Sequence, residues 1–351
     1  MSKLNYSNFI NDFIEDTRQK NNGVLCIFTD IDGTLPLSNN FKHAVIRTKN
    51  TLQKQMMFIA NTGRTPKDLK GMLERLNIPS QIFDEILGNN GATSKYMKMS
   101  ISKDNVSDIL HKFIELGGEE GDVRYVAEDD IYIHRDEAST TYYSNKPHIE
   151  LDDIIQKANS VNINKLTLTG SKEVIDKLIE YIEKCGYKCN IHVGNTKFRT
   201  RDKSKSRRRV DITSNECSKG IITKKVLRDL NLESFMVMGN DENDITMFKA
   251  AIEKKGYIVL VKHEEIEITK KIVKELKAYT TSIGKDWNEV KITFIEENEM
   301  NNFLEFMASR AKMKGQGNFL ENLKVTSKKL PTAIRTSTMA TKLIGYEDVT
   351  R

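Results

Sequence analysis

Two aspartates one residue apart, Asp30 and Asp32, follow the apolar run Val24-Leu25-Cys26-Ile27-Phe28. In extended backbone, side chains two residues apart project to the same face, so this spacing sets two carboxylates side by side. Left alone such a pair is electrostatically unfavourable, and a divalent cation that takes hard oxygen ligands, as Mg²⁺ does, relieves it. A second polar group, Asn240-Asp241-Glu242-Asn243-Asp244, follows the apolar Met236-Val237-Met238 and would complete the oxygen shell. Thr62, after a third apolar run at Met56 to Ala60, and Lys219 could bind an anion across from it.

The elements that would position these residues are short buried strands alternating with helices. The runs at 24–29, 56–60 and 236–238 are unbroken in apolar character, as strands buried on both faces are. Between them, Phe41 to about Gln53 has helical spacing. Thr65 is a good N-cap with Pro66 at the first helical position, and Leu69, Met72, Leu73 and Leu76 form one stripe. Strand, helix, strand, helix predicts a parallel α/β sheet, and ligands bind such sheets at the carboxyl ends of the strands. After Asn89-Asn90-Gly91 the pattern changes. A helix through Val106 and Phe113, hairpin-like strands at 123–126 and 131–133, then strand, helix and strand at 166–168, 174–182 and 190–193 read as an α+β insert. Val210-Asp211-Ile212 and a helix from Ile221 to Leu230 read as the return to the α/β rhythm. Tyr257 to Val261 adds a strand, Ile266 to Leu276 and Met300 to Met307 add helices, and Lys312 to Arg351 has little periodicity.

At the residues named first, the sequence resembles the haloacid dehalogenase superfamily of phosphotransferases. The four short motifs occur in order as Asp30-Ile31-Asp32-Gly33-Thr34, Thr62-Gly63-Arg64, Lys219 within Ser218-Lys219-Gly220, and Gly239-Asn240-Asp241-Glu242-Asn243-Asp244. The insert and the Asn90-Gly91-Ala92 turn before it are similar to the Cof-type branch, whose C2-type cap is α+β. The resemblance covers roughly residues 23–260. It implies an α/β fold with a Rossmann-like parallel-sheet core (1–92 and 210–310), an inserted α+β cap (93–209) and a C-terminal extension (311–351). It implies Asp30 as a nucleophile forming an aspartyl-phosphate, and Asp32 as general acid and base with a carboxyl raised by its neighbour and by burial. Thr62, Gly63, Lys219 and Asn243 would bind the phosphoryl group, with Mg²⁺ among Asp30, Asp32, Asn240, Asp241 and Asp244. In one place the chain departs from the family's Gly-Asp-x-x-Asn-Asp: Asn240 stands where the first acid belongs. Either its amide oxygen ligates the ion, or a one-residue shift lets Asp241 reach it.

The implied activity is Mg²⁺-dependent hydrolysis of a phosphomonoester, with a small phosphorylated metabolite such as a sugar phosphate as substrate. The alternatives are a phosphomutase on the same scaffold and a polyanion-binding protein or nucleic-acid end phosphatase. The last draws on charge. The 351 residues, enough for two domains, carry 55 basic and 49 acidic side chains, a net +6. Between Lys197 and Arg209 eight cations face one acid, Asp202, so the rest of the chain is close to neutral. A solvated cap loop is the first reading of this run and contact with the substrate or a polyanion the second. Nucleic acid is not favoured, because Phe198 is the only aromatic available for stacking on bases. No apolar stretch of ~18 residues exists, which argues against a membrane span, and the polar N-terminus lacks a signal-peptide run, so the expected compartment is the cytoplasm. Four cysteines, Cys26, Cys185, Cys189 and Cys217, fit a reducing compartment as free thiols better than a zinc site.

Overall fold

Helices cover both faces of the core strands, which is why those strands are apolar without interruption. The computed structural model describes residues 6–52, 55–118, 122–127, 130–133, 153, 155–156, 160–194 and 207–315. The chain forms two compact units: one comprises the chain through Thr62, Leu69–Ile86 and the chain from Lys219 onward, the other Gly63–Asp68 and Leu87–Ser218.

In the first unit, β1 (Leu25–Thr29), β2 (Met56–Asn61), β3 (Glu85–Leu87), β9 (Met236–Gly239), β10 (Tyr257–Val261) and β11 (Ile292–Ile295) form a sheet in the order β11-β10-β9-β1-β2-β3. β1 pairs parallel with both β2 and β9, and β10 pairs parallel with β9 and β11. Alternate residues such as Leu25, Ile27, Phe58 and Met238 bury against α1 (Ser7–Lys20), α2 (Asn39–Leu52) and α9 (Met300–Gly315). Helices α6 (Lys219–Asp229), α7 (Ile245–Lys254) and α8 (Ile266–Ser282) pack successively on one another, with α7 against β9 and β10. Thr29 is level with Ala60 on β2 and with Met238 on β9, so the next residues, Asp30, Asn61 and Gly239, emerge together at the carboxyl edge.

The N-terminal helix, which no motif explained, is latched into this core. Asn21, just past its end, accepts from the backbone N–H groups of Glu233 and Ser234 at 2.9 and 3.0 Å, and its amide donates to the Ser234 and Val24 carbonyls. Asp16 accepts from the Tyr257 hydroxyl at 2.8 Å and from Lys291 at 2.5 Å. On the C-terminal side α9 continues to Gly315, past the expected boundary at 310, and buries Met307, Ala308 and Ala311 against the core, while residues 316–351 of the expected extension lie outside the described residues.

The second unit holds an antiparallel sheet of β4 (Asp122–Ala127), β5 (Asp130–Ile133), β6 (Ile163–Ser171), β7 (Cys189–Gly194) and β8 (Arg207–Ser214), in the order β5-β4-β6-β8-β7. Its apolar face packs Leu166, Leu168, Val210 and Ile212 against α4 (Lys103–Glu115) and α5 (Lys172–Cys185). Ser171 caps α5 by accepting from the Val174 N–H, and Gly186 ends it in the left-handed region. Asp108 on α4 accepts from the hydroxyls of Tyr181 and Tyr187, which hold its carboxyl below the usual range. The 123–133 hairpin is present, and β6, α5 and β7 form a split β-α-β with β8 between the strands. β8 is therefore not a return to the core. It pairs antiparallel with β6 and β7, and the chain re-enters the first unit only at Lys219, against the expected 210.

Thr65 caps α3 (Pro66–Arg75), its Oγ1 accepting from the Asp68 N–H at 2.9 Å, while Leu76 of the expected stripe falls just beyond the helix and is exposed. Of the basic run, residues 197–206 lie outside the described residues. Arg208 and Arg209 are strand residues paired with Asp176 and Asp211, not members of a solvated loop.

Candidate active site

Lys219 opens α6 with its side chain fully buried, and its Nζ donates to Asp30 Oδ1 at 2.6 Å, to Asp244 Oδ1 at 2.7 Å and to Asn243 Oδ1 at 3.4 Å. Burial opposes the ammonium charge, but Asp244 and Asp30 outweigh it and raise the Lys219 pKa. Burial also pushes the Asp30 carboxyl up to about 7, with Lys219 opposing and Asp244 and Asp32 reinforcing the rise. Four of the expected residues, Asp30, Lys219, Asn243 and Asp244, are thus brought into one network.

The local sequence explains the geometry. After β9 the chain turns so that both the Asn240 and the Asp241 N–H donate to Asp244 Oδ2, at 2.9 and 3.1 Å. Asp244, expected among the metal ligands, therefore has one oxygen taken by two backbone amides and the other by Lys219, which makes it the anchor of the lysine. Asp241 Oδ1 accepts from the Glu242 N–H at 2.7 Å, and burial raises its carboxyl. Asn240 folds onto the turn after Asp30: its Oδ1 accepts from Thr34 Oγ1 at 3.0 Å. Gly33 makes that approach possible, because its φ is +73° and a Cβ there would lie 2.3 Å from Asn240 Nδ2.

Asp32 differs from expectation. It is exposed, so the burial expected of the general acid falls on Asp30. Thr62 is buried directly beyond β2, while Gly63 begins the second unit. Sequence reasoning missed Asn61, whose amide donates to the Lys219 carbonyl at 3.0 Å and to Thr223 Oγ1 at 3.1 Å, fixing the first turn of α6. Its signal was a polar residue closing an otherwise apolar strand. Gly220 lets the same turn approach α7: a Cβ there would lie 2.1 Å from the Thr246 carbonyl oxygen. Gly220→Ala should destabilise the protein by about 1–3 kcal/mol, because helix backbone cannot yield as a flexible side chain does. Thermal unfolding checks this, and an unchanged Tm would contradict the packing described.

Among the described residues no three His, Cys, Asp or Glu side chains are grouped to hold a metal. The donor set nonetheless suits Mg²⁺, which retains several waters and needs only one or two carboxylates from the protein. Asp30 brings a carboxylate whose crowding by Asp244 and Asp32 a cation would relieve, and Asn240 brings an amide oxygen to the adjoining turn.

The pattern of the haloacid dehalogenase-like hydrolases matches residues 27–274, and the chain belongs to that family. A search of curated proteins finds no match. Among solved structures, a haloacid dehalogenase-like hydrolase from Bacteroides thetaiotaomicron has a TM-score of 0.56 at 13% identity, covering 80% of this chain and 98% of its own. A Thermotoga maritima protein gives 0.54 at 19% identity, covering 80% and 97%. A sugar phosphatase described as subclass IIB of the superfamily gives 0.50 at 19% identity, covering 74% and 99%. These likenesses support a Rossmann-like parallel core with a smaller antiparallel cap. No described helix is long and apolar enough to cross a membrane.

Proposed function

We propose that the protein is a Mg²⁺-dependent phosphomonoester hydrolase that works through an aspartyl-phosphate on a small phosphorylated metabolite, a sugar phosphate in the first instance. One observation carries the reading: a wholly buried lysine held between Asp30 and Asp244 at the carboxyl edge of a parallel sheet. A lysine so placed offers fixed positive charge to an anion arriving at Asp30. The sugar-phosphatase likeness lends support to the substrate class.

In this mechanism Lys219 holds one oxygen of Asp30 and leaves the other to attack phosphorus in line. The bond to the leaving oxygen breaks as the Asp30–phosphorus bond forms, and Asp32 gives that oxygen its proton. Asp32 then takes a proton from water, the water attacks phosphorus, and Asp30 leaves as carboxylate. Lys219, the Thr62 hydroxyl and the Gly63 loop hold the phosphoryl oxygens while charge spreads over them. Asp30 and Asn240 would hold Mg²⁺, with Asp241 beside them, and the ion when bound supplies charge that screens nucleophile from substrate.

Phosphate release from a panel of phosphomonoesters, with Mg²⁺ and with excess chelator, tests the proposal. Release that depends on Mg²⁺ is the expected result. Isomerised sugar phosphate without free phosphate would replace it with a phosphomutase.

A further inference from the structure

Lys165 is a cation in the middle of a buried strand. On β6 the neighbouring Leu166 and Leu168 enter the apolar core, while Lys165 and Thr167 occupy the other face, where Thr167 is level with Asp211 of β8. The Lys165 side chain is only 8% exposed, and its Nζ donates to the Gly63 carbonyl at 2.7 Å with Asp211 Oδ2 at 3.8 Å. Asp211 is itself fixed, accepting from Thr167 Oγ1 at 2.7 Å and from Arg209 Nε and Nη2 at 3.0 and 2.7 Å. A long side chain loses substantial rotamer freedom when held this way, and here the bond that repays it goes to a peptide of Thr62-Gly63-Arg64.

The loop is held at neighbouring points as well. The Asn89 N–H donates to the Arg64 carbonyl at 2.9 Å, and Arg64 pairs with Asp68 at 3.0 Å. Asn90, buried with φ +55°, places its Oδ1 3.3 Å from where a Gly63 Cβ would be, and that oxygen has no hydrogen-bond partner among the described residues. Because a peptide is planar and trans, the Gly63 carbonyl and the Arg64 N–H point in opposite directions, so a donor that fixes one fixes the other. We propose that Lys165 is a positioning residue for the phosphate-binding loop Thr62-Gly63-Arg64, setting its peptide planes through the Gly63 carbonyl. This rests on the phosphatase reading of the loop. Lys165 and Gly63 both belong to the second unit, so the bond that sets this peptide is made within that unit.

The experiment compares parent, Lys165→Met and Lys165→Arg for kcat, KM and the inhibition constant of inorganic phosphate, with phosphate binding also measured by calorimetry. Lys165→Met should weaken phosphate about 10-fold and lower kcat about 10- to 100-fold. Lys165→Arg, which keeps a donor for the carbonyl, should lie closer to the parent. The phosphate constant does not depend on how much enzyme is folded, so a merely structural role would leave it unmoved. Arg208→Met, which breaks a pair with Asp176 on the opposite face of the sheet, on the neighbouring strand β8, should leave that constant at the parent value. A parent that turns over substrate, with an unchanged phosphate constant in Lys165→Met, overturns this inference alone. A parent with neither turnover nor phosphate binding overturns the phosphatase reading and this inference with it.

Discussion

Asp30→Asn should abolish turnover, lowering kcat about 10⁴-fold or more, while the metal-free protein becomes more stable above neutral pH. The first part follows from chemistry: an amide cannot attack phosphorus and then leave as a carboxylate. The second follows from burial. In the folded protein the Asp30 carboxyl lies at about 7 against a reference of 3.8, so folding favours its protonated form. A raised value contributes stability that is complete below the reference pKa and disappears as pH rises through the folded one. Across the window from 3.8 to about 7 the metal-free parent therefore loses up to about 4 kcal/mol that it enjoyed in acid. Asparagine resembles the protonated acid at every pH. The variant's advantage in Tm, measured in chelator, should be largest near about pH 8 and shrink toward about pH 5. Saturating Mg²⁺ should narrow it by stabilising the parent's carboxylate. Undiminished turnover in the variant would remove Asp30 as nucleophile, and an equal Tm difference at both pH values would remove burial as the source of its raised pKa.

Much of this site was legible because parallel strands buried on both faces announce themselves as apolar runs and stop at one level. Asp30, Asn61 and Gly239 each follow such a run directly, and the register that levels Thr29 with Ala60 and Met238 makes them neighbours. The boundary of the insert was harder to read. Val210-Asp211-Ile212 looked like another core strand, but Arg209-Val210-Asp211-Ile212-Thr213 alternates polar with apolar, the period of an antiparallel strand with one face in a core. Its apolar residues join Leu166 and Leu168, and its polar ones carry the Lys165 and Thr167 contacts. Read for period as well as for apolar content, the strand would have been assigned to the insert.

The side chains that hold the site from behind left weaker signals. Asn21, Asn61 and Lys165 act through bonds to backbone carbonyls or amides distant in sequence, and nothing in local spacing marks such partners. Asp32 shows a different limit. Residues i and i+2 share a face only while the chain stays extended, and the strand ends at Thr29. In the turn that follows, Asp30 is buried and Asp32 exposed, a division that suits a nucleophile held by Lys219 and a proton carrier that meets substrate and water.

Lys219→Met should cost both stability and activity, and the two losses should be separable. The methionine roughly replaces the buried stem but not the charge, leaving Asp30 and Asp244 facing each other without a cation at 2.6 and 2.7 Å from their oxygens. Removing one partner from a buried ionic network typically costs about 3–5 kcal/mol, because the remaining charge is neither solvated nor paired. The cost is smaller in acid, where a carboxyl can protonate, so the Tm deficit should grow with pH. Turnover should fall about 10²- to 10³-fold from loss of the positive charge opposite the phosphoryl oxygens. Adding Asp30→Asn to Lys219→Met removes one of the two stranded carboxylates, so the double variant should regain a large part of the lost Tm while remaining inactive. Contacting residues in one network are expected to couple in this way, by about 0.5–3 kcal/mol. A double variant no more stable than Lys219→Met would mean that the lysine stabilises the fold by packing and not by charge. The buried ammonium would then have no electrostatic need for the two aspartates that surround it.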